Sequence, residues 1–247
     1  MTTDLTHFDL AEALRCRRVV RGAASDAATM DVAAQRICQA LYDELRTDDL
    51  RTPACVMVRC YKTHGFGALP ADLQRYVLET LGDFPVHDAM RCLVLLGSVG
   101  ARPEWNSPRQ SRGHRAIALP TADVVDRAPM IAQLFKQLGV PIEGVVAPSP
   151  DLVRALAGKT YGVFHVKDAL GSPFIPAQAE FVVRHGVRSV VGFGGTVTNG
   201  DLFAVIVFSR VAISESTADR FRALALEVKS SLFLFPASRT FDSDNGA

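Results

Sequence analysis

Histidine, arginine and tryptophan crowd one stretch of the chain. Ser111-Arg-Gly-His-Arg115 sets His114 between Arg112 and Arg115, with Trp105 and Arg109 just upstream. Guanidinium forks beside an indole ring suit an anionic or planar ligand, through paired hydrogen bonds and stacking. The same residues also suit a solvated loop anchored by one buried tryptophan. A second histidine, His165, sits in the apolar run Val163-Phe-His-Val166. An imidazole there can ligate a metal or haem, line a pocket, or satisfy a backbone carbonyl at a core edge. Tyr161 lies four residues before it, so on a strand the two share a face and become candidates for one cavity. Arg188 and Phe193 complete the set of candidate ligand-binding residues.

Other chemistry has weaker support. The five cysteines, Cys16, Cys38, Cys55, Cys60 and Cys92, contain no CxxC pair and read as reduced thiols in or near cores. Cys55 and Cys60 differ by five, so an unbroken strand turns them to opposite faces, which argues against a shared metal. A thiol-dependent enzyme using Cys55 or Cys60 remains an alternative, as does a haem- or metal-binding sensor using His165 or His114. Gly192-Phe-Gly-Gly195 follows a strand and precedes a hairpin, so a dinucleotide fingerprint fails on context. A bulge or close backbone approach fits those glycines better. There is no GxSxG, HExxH, P-loop or DxDxDG. No catalytic residue is assigned, and no cofactor is required.

The elements that position these residues belong to one domain. With 247 residues, 48% hydrophobic and 21% charged, the chain has the composition of an ordinary globular protein and the length to bury a sizeable core. Net charge is +1, which provides no field to hold a polyanion and argues against nucleic acid as partner. Arginine supplies 22 of the 27 basic residues. The start, MTTDLTHFDL, has no signal-peptide pattern, and the longest apolar runs fall well short of the ~20 residues that span a bilayer. A cytoplasmic protein without membrane contact is expected.

Residues 1–28 read as a partly ordered arm, in which Ala11–Val20 suits a short docking helix with Leu10, Leu14 and Val19 roughly on one side. A helix is expected over 29–46, where Ala33, Ile37, Leu41 and Leu45 recur every four residues. Cys55–Tyr61 and Arg91–Val99 read as strands, with Lys62–Ala68 as a loop and Pro70–Leu81 as a helix. Ala116–Leu119 reads as a short strand. Thr121–Leu138 reads as a helix or a pair, because Pro129 sits inside it. Pro150–Leu156 reads as a short helix, Tyr161–Val166 as a strand and Ala177–Arg184 as a helical stretch. Ser189–Gly194 and Leu202–Ser209 read as strands joined at Asn199-Gly200, a strong hairpin signal. Ser214 is a good N-cap for a final helix over 214–235, with Ile213 as its staple. The tail over 236–247 reads as flexible.

His185-Gly-Val-Arg-Ser-Val-Val-Gly-Phe-Gly-Gly195, the turn Thr198-Asn-Gly-Asp201, the strand Leu202–Phe208 and Ile213-Ser-Glu-Ser-Thr-Ala-Asp219 before a long helix resemble the C-terminal half of a GAF domain. The resemblance implies an α+β fold: an antiparallel sheet flanked by helices over 29–235, with a long insert at about 100–176 over one face. It implies a non-catalytic sensory or regulatory module of bacterial signal transduction. Such a module binds a small molecule or serves as an input domain, forms a homodimer through its terminal helices, and acts on a sensor kinase or other signalling partner. The cysteine, bilin and cyclic-nucleotide marks of better-known family members are missing.

Overall fold

The structure, a computed structural model, describes residues 2–151, 161–196 and 200–242. Its centre is a six-stranded antiparallel sheet. The strands are β3 (Cys55–Gly65), β4 (Arg91–Gly100), β5 (Ala116–Leu119), β6 (Gly162–Val166), β7 (Ser189–Thr196) and β8 (Leu202–Ser209), in spatial order β5-β4-β3-β8-β7-β6. The first and last of these in sequence, β3 and β8, lie side by side in the middle. Both are buried almost throughout, as strands covered on both faces are; β8 is apolar up to Ser209, whereas β3 also buries Arg59, Lys62, Thr63 and His64.

One face carries helices. α2 (Met30–Glu44) lays Ala33, Ile37 and Leu41 on the sheet, as their spacing predicts. It sits directly on β4: a Cβ at Gly97 would come within 2.5 Å of the Ala34 carbonyl oxygen. Gln35 fastens the contact, accepting from the Ser98 N–H at 2.9 Å and donating to its carbonyl at 3.0 Å. The final helix breaks at Phe221 into α7 (Glu215–Arg220) and α8 (Arg222–Leu232) and stops before 235. Ser214 caps it by accepting from the Thr217 N–H at 3.1 Å, and Ile213 is buried beneath. Between β3 and β4, α3 (Ala71–Leu81) packs beside β5 at the sheet edge.

Within the first 28 residues the helix read over Ala11–Val20 runs longer, over Leu10–Ala24. Thr3–Asp4 (β1) pairs in parallel with Leu45–Arg46 (β2), and α1 (Leu10–Ala24) begins at Asp9, whose carboxylate caps the Glu12 N–H. Leu5, Phe8, Cys16 and Val20 are buried, with Phe8 stacked on Phe221 at 4.7 Å. Arg17 and Arg21, one turn apart, both donate to the buried Glu227 of α8. The arm is therefore an outer helix bolted to the last one.

The other face is covered by the insert. α4 (Ala122–Asp126), α5 (Pro129–Leu138) and α6 (Ile142–Val146) place Val125, Leu134, Phe135, Leu138 and Val145 into a second core with Phe164 and Phe208. Pro129 starts α5 rather than kinking it, because a first-turn residue has no partner for its amide. Ala177–Arg184 forms a π-helical turn over Gln178–Val183. The short helix expected over Pro150–Leu156 and the turn at Asn199-Gly200 lie wholly or partly outside the described residues, although β7 and β8 pair antiparallel as expected.

Two expectations fail for reasons remote in sequence. Lys62–Gly65 is no loop; it continues β3, paired with β4, and the Lys62 and Thr63 side chains find buried partners there. Cys55 and Cys60 do not face opposite sides: a bulge between Cys55 and Met57 adds one residue, and both thiols enter the helix-side core. The tail is also fastened, through Asp242. The Thr240 carbonyl accepts from the Asp31 N–H, and the Asp242 N–H donates to the Asp31 carboxylate, each at 3.0 Å. Among the described residues no helix is long and apolar enough to cross a membrane.

Candidate functional site

The middle strand carries a charge where its neighbours are apolar. Arg59 of β3 is 8% exposed, and its cross-strand neighbour Ile206 belongs to the insert-side core. Its Nη1 donates to the Tyr61 hydroxyl at 3.2 Å and its Nη2 to the Ser111 hydroxyl at 2.9 Å. The Nε is buried and has no hydrogen-bond partner among the described residues. No carboxylate there lies within ion-pair distance of it. A buried charge without a counter-ion costs several kcal/mol, and a buried donor left unpaired costs roughly 1–3 kcal/mol. The position therefore matches an anionic group better than it matches the protein alone.

The segment between β4 and β5 forms the wall of this site. Short 3-10 turns at Pro103–Trp105 and Pro108–Gln110 lead to Ser111, which donates to the Gly113 carbonyl at 2.6 Å. His114 follows in a left-handed conformation (φ 61°) that lets the chain turn back into β5. As a residue His114 is exposed, yet its imidazole is held below its ordinary pKa, first by desolvation and then by the Arg59 charge. A neutral imidazole and a fixed guanidinium share this corner.

The other expected site residues are dispersed. Trp105 packs edge-on to His185 (4.7 Å) and Phe181 (5.8 Å) as part of the insert-side core. Arg112 and Arg188 are exposed. Phe193 is fully buried on the helix side, 5.8 Å from Phe221. Tyr161, Val163 and His165 do share that side, but Tyr161 lies against Phe203 and under Lys229, whereas His165 lines a separate hollow of about 290 Å³ with Gln137, Lys167, Glu215 and Asp219. The His165 Nε2 sits 3.0 Å from the Ile213 carbonyl oxygen, and burial lowers its pKa. Among the described residues no three His, Cys, Asp or Glu side chains come together to hold a metal ion. All five thiols are buried; desolvation pushes those of Cys16, Cys55, Cys60 and Cys92 up to about 12, and that of Cys38 well above its usual value. Sulfur that stays protonated is a poor nucleophile.

A second buried ionic group closes the β3–β8 end of the sheet. Lys62 donates to Asp201 at 2.5 Å, and Arg91 donates to Asp201 and, at 2.9 Å, to the Thr63 hydroxyl. The attraction of the two cations outweighs burial and keeps the Asp201 carboxyl below its ordinary range. Neither Arg59 nor this triad stood out from motif spacing. The available signal was charge inside apolar strands, Cys55-Val-Met-Val-Arg59 and Arg91-Cys-Leu-Val94.

The segments that resemble the GAF C-terminal half form β7, β8 and the capped last helix, in that order, on a sheet with helices on one face and an insert on the other. The fold is GAF-like. No family model matches this GAF-like chain, and no curated protein matches it. Solved structures similar to it include the N-acylhomoserine lactone dependent LuxR family transcription factor CepR2 from Burkholderia cenocepacia, at 14% identity over 94% of this chain and 99% of that one, TM-score 0.43. Another is the GAF domain of an Acinetobacter phosphoenolpyruvate-protein phosphotransferase, at 10% identity over 94% and 97%, TM-score 0.42. A third is the chromophore-binding domain of the bacteriophytochrome RpBphP3 from R. palustris, at 13% identity over 91% and 60%, TM-score 0.39.

Proposed function

We propose that this protein is a non-catalytic sensory or regulatory module that binds a small anionic molecule against the insert-side face of its sheet. The carrying observation is Arg59, a nine-tenths buried guanidinium with a free Nε and no acidic partner among the described residues. A carboxylate or similar planar anion supplies both missing partners, by the paired hydrogen bonds that a guanidinium fork favours. Ser111 and Tyr61 hold the fork in place, so ligand occupancy acts on the 102–115 segment through Ser111. As an input domain the module passes that change to a separate partner, for instance a sensor kinase. Leu10, Leu14 and Leu226, exposed on α1 and α8, favour a homodimer through the terminal helices.

Native mass spectrometry of protein purified from its own host tests the reading. A retained small anion is expected, lost in Arg59→Met while the fold persists. A ligand-free wild type that also gains no thermal stability from a panel of mono- and dicarboxylates at millimolar concentration counts against it.

A further inference from the structure

A cleft of about 830 Å³ opens at the sheet edge, between the start of α2 and the start of α3. Leu95 and Leu96 of β4 line it beneath the 106–109 turn, and Phe241 of the tail borders it. The volume lies within the range of small-molecule sites, roughly 300–1,000 Å³.

Its charges are opposed across the opening. On the α2 side, Asp31 accepts from the Thr29 hydroxyl at 2.5 Å, the Val32 N–H at 2.8 Å and the Asp242 N–H at 3.0 Å, and no cationic side chain among the described residues pairs with it. On the α3 side, Arg75 is exposed and has no partner among the described residues. Beside it Arg115 is paired with Asp72 at 2.7 Å, while its Nε is buried and unpartnered. Arg109 and Asp242 also line the cleft, one charge of each sign, and both are already engaged. Asp31 and Arg75 thus face one space without pairing with each other.

We propose that this cleft is a binding site for a small zwitterion of the α-amino acid class. The ammonium pairs with Asp31, the carboxylate with Arg75 and the Arg115 Nε, and an apolar side chain rests on Leu95, Leu96 and Phe241. Either charge alone leaves one wall unmatched, which is the basis of selectivity. This site is separate from the Arg59 site and stands or falls without it.

Saturation-transfer NMR of the full chain with L-leucine as probe tests the assignment, with 3-methylbutylamine and 4-methylpentanoate as controls lacking one charge each. L-leucine is expected to bind, and each control to bind at least about 10-fold more weakly. Asp31→Asn keeps the hydrogen-bonding shape but removes the charge, and Arg75→Gln alters an exposed residue. Each is expected to weaken binding by about 10-fold or more with the circular dichroism unchanged, while Arg59→Met leaves it intact. Absence of binding by L-leucine at about 10 mM, equal binding of either control, or indifference to both Asp31→Asn and Arg75→Gln overturns the assignment.

Discussion

The Nη2 of Arg59 lies 2.9 Å from the hydroxyl of Ser111, across 52 residues of chain. That bond ties the segment after β4 onto the middle strand, and it makes the two residues energetically dependent on each other. Ser111→Ala strands a buried Nη2 and is expected to lower stability by about 1–3 kcal/mol. Arg59→Met replaces an uncompensated charge with an apolar chain of similar length and is expected to be neutral or stabilising. In the Arg59→Met background, Ser111→Ala then costs little. Urea unfolding of the two single variants and the double variant measures the coupling; additive effects would show that the bond contributes nothing.

His64 provides a pH signature. Burial, and then the nearby Lys62 charge, push its pKa down to about 3, and its Nε2 has no partner among the described residues. Above the ordinary histidine pKa both folded and unfolded chains are neutral here, so nothing changes. Below it the unfolded chain takes a proton that the folded chain refuses, and stability falls as pH drops toward 3. The wild type is expected to lose about 2 kcal/mol more than His64→Gln between pH 7 and pH 5. Parallel pH profiles of denaturant unfolding for the two proteins would contradict this.

The thiols provide a test of the enzymatic alternative. With Cys16, Cys55, Cys60 and Cys92 raised to about 12 and every cysteine buried, native protein at pH 8 is expected to react with none of them. Five equivalents should react after unfolding. Rapid labelling of Cys55 or Cys60 in the native state would revive a thiol mechanism.

Gly97 measures how closely α2 sits on β4. The Cβ of an alanine there meets the backbone of Ala34 at 2.5 Å, and a helix backbone cannot step aside cheaply. Gly97→Ala is expected to destabilise by about 1–3 kcal/mol or more, as overpacking does. Gly22→Ala, on the open side of α1 with nothing nearby, is expected to be neutral or slightly stabilising. Thermal unfolding of the pair distinguishes a close helix–sheet contact from a loose one.

What the sequence by itself determined was local. The four-residue spacing of Ala33, Ile37 and Leu41 produced the α2 face, and the β-branched runs produced β3, β4, β7 and β8. Ser214 set the start of the last helix, and Pro129 set that of α5. Each rests on neighbours a few residues apart, where periodicity and capping act. The tertiary structure decided which polar residues went inside. Lys62 and Arg91 are tolerated in the sheet because Asp201 comes to them from the start of β8, and Arg59 became a candidate receptor because, among the described residues, no acid came to it. One bulge reversed the parity of Cys55, and Glu227 fixed where the first helix docks. Buried charge and strand parity depend on partners and register errors far away in the chain, and short-range patterning carries no record of either.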